Sequence, residues 1–227
     1  MGKKVLLVHH EEGGSCHTPA KSSKIMKKIL KQEGYDIDER TSLDVYTDEE
    51  CMATFDLIVQ AWTGGELTPE QERGLIDAVM NGAGLAGWHG GLNDCFRASL
   101  NYKFLLGSQF VAHPGGNVEF TVNITKPDDP IVKGIKDFTL TSEQYYLHVD
   151  PGILSGVSGE ILATSTFHHV PILNMYHGTV MPAVYKRSWA DGKIFYVAYG
   201  HSYKDFDVPG TREILRQGFL WATRDEE

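Results

Sequence analysis

The chain has 227 residues of ordinary globular composition, with 21 Lys plus Arg against 30 Asp plus Glu, a formal charge of −9. That length suits one α/β domain, 1–227, burying about 70% of the surface of its unfolded chain, so no disulfide or metal is needed simply to fold. The acidic balance argues against a nucleic-acid partner, and no apolar run approaches the roughly 20 residues of a membrane-spanning helix. Cys16, Cys51 and Cys95 are odd in number and form no C-x-x-C pair. Lys3 and Lys4 precede only four apolar residues, too few for a signal peptide. A reduced, cytoplasmic setting is the expectation.

Val5–Val8 is a short continuous apolar run, the mark of a strand buried on both faces. After a polar loop from His9 to Pro19, Ile25, Met26, Ile29 and Leu30 share one helical face, and Gly34 ends that helix. Tyr35–Arg40 and Phe55–Ala61 read as the second and third strands. Thr68, Pro69 and Gln71 then sign a helix start: an N-cap, a proline at the first helical position and a capping box. Leu75, Ile76, Val79 and Met80 are its expected buried stripe, and Gly84–Trp88 is the fourth strand. The order β-α-β-β-α-β predicts a parallel sheet with helices on both faces. The second half is richer in strands: Val118–Thr125, Glu160–Ser165, Met181–Trp189 and Lys193–Tyr199, the last two joined at an Asp191-Gly192 turn. Thr211–Arg224, with Ile214, Leu215, Phe219 and Leu220, reads as the closing helix.

In open α/β sheets, ligands bind beyond the carboxyl ends of the strands. There lie His9, His10, Cys16 and His17 after the first strand, Trp62 to Gly64 after the third, His89 after the fourth, and His201 after the last. Gly87-Trp88-His89-Gly90-Gly91 has the shape of a nucleophile elbow, with glycines permitting the bend around a central side chain. An imidazole there suits proton transfer or metal ligation better than a stable covalent intermediate; the competing reading is buried packing followed by a turn.

Leu67-Thr68-Pro69-Glu70-Gln71, followed by Gly82-Ala83-Gly84 through Trp88-His89-Gly90-Gly91, resembles the pattern of the ThuA-like (trehalose utilisation) family. So do His113-Pro114, Asp129-Pro130-Ile131 with Gly134-Ile135, Ser142-Glu143-Gln144-Tyr145, and Gly192-Lys193-Ile194-Phe195-Tyr196 with Gly200-His201. Cys16-His17-Thr18 stands where many members have R-H-x-S. Trp88, Ser142 and the His168, His169 and His177 group depart from the usual pattern. The resemblance implies a flavodoxin-like three-layer α/β sandwich with a mostly parallel sheet, similar to class I glutamine amidotransferases. Their elbow holds a Cys. With His89 there instead, thioester chemistry has no thiolate, and amidotransferase activity is expected to be absent. Neither Cys16 nor Cys95 sits on an elbow.

His89, His201 and Glu143 are therefore the catalytic candidates, with His10, His17, Trp62, Gly90, Gly91, Tyr145, Tyr146 and His148 as candidate substrate contacts. His17, His89, His113 and His201 are the candidate ligands if a divalent metal such as Zn is bound; no H-x-x-x-H spacing supports one directly, and metal-free acid–base work is the equal alternative. Asp94 and Asp150 are weaker candidates. Lacking a G-x-G-x-x-G loop, the chain is not expected to hold a nucleotide cofactor. His168, His169, Asn174 and His177 lie in a long connection that could cover the site. The expected partner is a small sugar, a disaccharide or glycoside that could carry a 3-keto group, since the family's members occur with sugar 3-oxidising dehydrogenases. A homo-oligomer is compatible with the sequence. The rival class is a non-catalytic sugar-binding or regulatory protein on the same fold.

Overall fold

Strand β1 (Lys4–His9) is buried from Val5 to His9 because it lies between two other strands and beneath two helical layers. The computed structural model describes residues 2–11, 17–168 and 176–225. Helix α1 (Pro19–Gln32) follows, with Pro19 at its first position, and leads to β2 (Asp36–Arg40) at one margin of the sheet. Between β2 and β3 (Leu57–Ala61) the chain forms a 3₁₀ turn (Leu43–Thr47) and a short helix α2 (Glu49–Ala53), where the sequence pattern suggests two strands in succession. Five residues are too few to display helical periodicity; the sign of α2 is its cap, the Asp48 carboxylate accepting from the Cys51 N–H at 3.0 Å.

Helix α3 (Pro69–Met80) has the expected capping box: Thr68 Oγ1 accepts from the Gln71 N–H at 3.2 Å, and Gln71 Oε1 accepts from the Thr68 N–H at 3.0 Å. Its inner stripe is narrower than expected. Leu75 and Val79 are fully buried, whereas Ile76 is half-buried and Met80 exposed. β4 (Gly84–Trp88) runs into a 3₁₀ turn over His89–Gly91. Then come α4 (Leu100–Leu106), β5 (Ser108–Ala112), β6 (Asn117–Ile124), β7 (Phe138–Glu143), β8 (Tyr146–Val149), α5 (Pro151–Leu154), β9 (Gly159–Thr166), β10 (Val180–Trp189) and β11 (Gly192–Val197). After a further 3₁₀ turn (Tyr203–Asp207), α6 (Thr211–Ala222) buries Ile214, Leu215 and Phe219 but turns Leu220 outward.

The nine-stranded sheet has the order β2-β1-β3-β4-β11-β10-β9-β6-β7, with β5 and β8 forming a separate antiparallel pair. β2, β1, β3, β4 and β11 are parallel; from β11 to β7 every pairing is antiparallel. The parallel strands alternate their side chains between two cores. Val5, Leu7 and Val59 meet Met26, Leu30, Ile214 and Phe219 from α1 and α6. Leu6, Val8 and Ile58 meet Met52, Leu75, Val79 and Leu105 from α2, α3 and α4. This is the three-layer sandwich, and it aligns the carboxyl ends of β1, β3, β4 and β11 along one side.

Candidate functional site

His89 sits at the bend where β4 ends, with a left-handed backbone (φ 47) that a non-glycine residue adopts only when its surroundings impose it. The flanking glycines serve close approach. A Cβ at Gly87 would lie 2.6 Å from the Gln60 carbonyl oxygen, and one at Gly91 would lie 2.8 Å from Ala61 Cα, so the elbow can pack directly on β3. The bend is held from below. Tyr196 and Gln60 donate to the carbonyls of His89 and Gly91 at 3.2 Å each, and Tyr102 donates to that of Leu92 at 2.7 Å. The buried Lys103 ammonium donates to the carbonyls of Asn93 and Cys95 at 2.7 and 2.8 Å.

Four groups distant in sequence meet above this bend. Glu143 Oε2 lies 3.2 Å from His201 Nδ1, 3.4 Å from His89 Nε2 and 3.7 Å from His17 Nε2. The ligand atoms of these four residues all lie within 4.8 Å of one another. His113, at the end of β5, faces the other carboxylate oxygen: its Nε2 is 3.7 Å from Oε1, with 43% of its side chain exposed. It stands outside the converging group, and Glu143 occupies the fourth place the sequence reading assigned to His113. The His17 ring is edge-on to those of His89 and His201, at 5.0 Å from each. A Cβ on Gly90 would press on the Tyr145 hydroxyl and His17 Cε1 at 3.0 and 3.2 Å, so glycine there lets both approach.

Charge in the cluster is divided unequally. Burial pushes the Glu143 carboxyl up, but its contacts with His17, His201 and His89 together outweigh burial and hold it well below the usual carboxylate range. Burial lowers His89 to about 3 against the opposing pull of Glu143, which keeps this imidazole neutral. Contact with Glu143 raises His201 despite its partial burial. Of these two histidines, His201 is therefore the one whose protonated form is favoured, beside an anionic Glu143.

The other expected residues are distributed differently. The Tyr145 hydroxyl shares a hydrogen bond with His89 Nδ1 at 3.1 Å, and its ring is buried, so it orients the imidazole from behind. His10 stacks on Trp62 at 4.1 Å, and its Nε2 is 2.7 Å from the Thr63 carbonyl; this pair forms a rim and not part of the convergence. Tyr146 and His148 share one face of β8, where Tyr146 packs near Tyr176 at 5.1 Å and His148 is exposed. Asp94 pairs with Arg97 at 2.6 Å, and Asp150 caps α5 by accepting from Gly152. Cys16, His169 and Asn174 lie outside the described residues; His177 contacts the His168 carbonyl.

Cys95 is fully buried, donates to the Leu92 carbonyl at 3.0 Å, and has its thiol pushed up to about 11 by burial. It is core, with no thiolate to attack a substrate.

Sequence reasoning missed the residue that joins the two sides of the site. Asp205 accepts from Ser142 Oγ at 2.5 Å, and its Oδ2 also caps the Ser202 N–H at 3.4 Å, tying β7 to the turn that carries His201. A Ser-x-x-Asp box beginning one residue after His201 was the available signal.

Among curated sequences none matches this chain. Solved structures resemble it over nearly its whole length. A ThuA-like protein from Parabacteroides merdae has a TM-score of 0.77 at 19% identity, covering 100% of this chain and 93% of its own. Another from Bacteroides uniformis has a TM-score of 0.76 at 17% identity, covering 97% and 91%. The glutaminase domain of Trypanosoma brucei CTPS, solved with acivicin, has a TM-score of 0.57 at 10% identity, covering 99% and 96%. These likenesses show the fold. The family described as trehalose utilisation matches residues 4–222, and the chain belongs to this ThuA family.

Proposed function

We propose that this protein is a carbohydrate-metabolism enzyme acting on a disaccharide or other glycoside, in a form oxidised to the ketone at C3. The observation that carries the reading is the meeting of Glu143 with three imidazoles at the carboxyl ends of the sheet, in a chain of the trehalose-utilisation family. A ketone at C3 acidifies the C2 proton, which brings its removal within reach of a carboxylate or imidazole base. Glu143, the carboxylate at the centre of the cluster, is assigned the role of base. His201, whose protonated form Glu143 favours, is the acid. Removal of the C2 proton gives an enolate; its collapse breaks the C1–O bond, and the departing oxygen takes the proton from His201. Addition of water at C1 then completes a net hydrolysis. Neutral His89, fixed by Tyr145, holds the carboxylate in place.

No thiol lies on the elbow, so glutamine hydrolysis by the thioester route has no nucleophile. Among the described residues no helix is long and apolar enough to cross a membrane, and a cytoplasmic setting is part of the proposal. The test is incubation with trehalose and with enzymatically prepared 3-ketotrehalose, followed by product analysis. Release of glucose and the keto-sugar from the oxidised substrate is the expected result. Binding of either sugar without conversion over hours would replace the enzyme by a sugar-binding protein.

A further inference from the structure

We propose that His17, His89, His201 and Glu143 bind one first-row divalent transition-metal ion, with zinc the simplest occupant, and that Tyr145 is a positioning residue for it. The proposal shares the site of the preceding reading but not its substrate. Its first support is the state of the buried atoms: His89 Nε2, Glu143 Oε2 and His201 Nδ1 are all buried and make no hydrogen bond of acceptable geometry. Buried polar atoms in native proteins are almost always partnered, and three unpartnered ones aimed at a single point imply something between them. His89 is 1% exposed, so bulk water does not supply the missing partner.

Spacing is the second support. In a tetrahedral site with bonds of about 2.0–2.1 Å, ligand atoms lie about 3.3 Å apart. The distances from Glu143 Oε2 to the three ring nitrogens are 3.2, 3.4 and 3.7 Å. Every pair in the set lies within 4.8 Å, so the widest imidazole pair either closes by small side-chain rotations or leaves room for a water or substrate oxygen. The edge-on arrangement of the His17 ring against the other two lets all three present their nitrogens instead of their faces.

Chemistry then selects the ion. Three imidazole nitrogens with one carboxylate oxygen suit zinc, cobalt, nickel, manganese or ferrous iron; magnesium and calcium prefer all-oxygen sets, and among the described residues no thiolate joins the set to favour copper(I). The outer contacts are also those of a metal site. Ligating histidines engage their second ring nitrogen with a fixed partner, as His89 Nδ1 does with the Tyr145 hydroxyl at 3.1 Å. His113 meets Glu143 through Oε1 and leaves Oε2 for the ion. An ion held here would act as the electrophile in place of the His201 proton, polarising a carbonyl or hydroxyl oxygen of the substrate.

The experiment is element analysis of the full chain after stripping, reloading with Zn(II) or Co(II), and dialysis. Calorimetric titration and the thermal midpoint are measured in parallel. One equivalent of metal, a visible Co(II) spectrum and a midpoint that rises with metal concentration are expected. Glu143→Gln and His89→Ala should lose stoichiometric binding. Tyr145→Phe should weaken it about 10–100-fold, and His113→Ala should leave it unchanged. Wild-type protein holding less than about a tenth of an equivalent of any of the five ions would overturn the proposal. So would undiminished binding by folded Glu143→Gln. Turnover of the keto-sugar by a protein that takes up no metal would remove this proposal and leave the sugar reading standing. Stoichiometric metal with no sugar converted would do the reverse.

Discussion

In the parallel half of the sheet, the segments after β1, β4 and β11 each deliver an imidazole: His17, His89 and His201. In the antiparallel half, β7 delivers the carboxylate of Glu143, and the loop after it delivers the Tyr145 hydroxyl that holds His89. The first contribution follows from topology, since parallel strands with helical crossovers must expose their carboxyl ends on one side. The second depends on bringing a strand four places along the sheet back against the turn after β11, through the buried Ser142–Asp205 contact. One half supplies a scaffold set by the parallel topology. The other supplies the carboxylate that the three imidazoles face.

The largest expected effect tests whether the two halves form one unit. His89→Ala and His201→Ala should each lower kcat/KM for the keto-sugar by about 10²–10⁴-fold. The double variant should lose little more, because residues acting together are strongly non-additive. Glu143→Gln should fall in the same range. Full activity in His89→Ala would return that residue to packing and dissolve the comparison.

Breaking the seam itself comes next. Asp205→Ala removes a buried acceptor and should cost about 1–3 kcal/mol, or about 2–4 °C in thermal midpoint per kcal/mol. Activity should also fall, since Ser142 adjoins Glu143. A midpoint change without loss of activity would show that Glu143 is positioned by β7 alone.

Cys95→Ala acts only on the scaffold side. It should cost about 1 kcal/mol through lost hydrogen bonding beneath the elbow and leave turnover unchanged, as should treatment of the wild type with iodoacetamide. Inactivation through Cys95 would restore a thiol mechanism.

The smallest effect lies on α6, away from the site. Arg216 holds the Glu213 carboxyl down to about 2 from its ordinary 4.5. A lowered folded value means that the pair stabilises above about pH 4.5 and loses its contribution as pH falls towards 2. Both side chains are part-exposed, at 40% for Glu213 and 33% for Arg216, so solvent screens the pair and Glu213→Gln should change stability by no more than about 0.5 kcal/mol, and less in high salt. Denaturant midpoints at pH 7 and pH 3 check the sign: the variant should be weaker than wild type at pH 7 and closer to it at pH 3.

The sequence was most legible where burial is symmetric. β1, β3 and β4 are continuous apolar runs, and the α3 capping box is visible residue by residue because its bonds are local. β5 and β8 were not legible: they form a two-stranded pair with exposed Gln109, Val111 and His148, and neither carries a long apolar run. α4 is seven residues long and exposes Leu100 and Phe104, so its pattern points away from a buried stripe. The strand-end rule led to His17, His89 and His201. It could not lead to Glu143, which was found through its Ser142-Glu143-Gln144-Tyr145 motif alone, because its proximity comes from the return of the antiparallel half. His10 and Trp62 follow strand ends as well, yet they stack on each other; the rule places a residue on a side of the sheet without aiming its side chain.

At the margin opposite β7, strand β2 reads Asp36-Ile37-Asp38-Glu39-Arg40, four charges in five residues, and among the described residues no strand pairs with its outer edge. A second chain adding a strand there would have to bury these charges, at several kcal/mol for each one left unpaired. Growth of the sheet by edge-to-edge stacking is therefore blocked at this end. The short apolar strands at its centre, which would be prone to amyloid-like pairing if exposed, are shielded on this side by a terminal strand whose own sequence discourages templating.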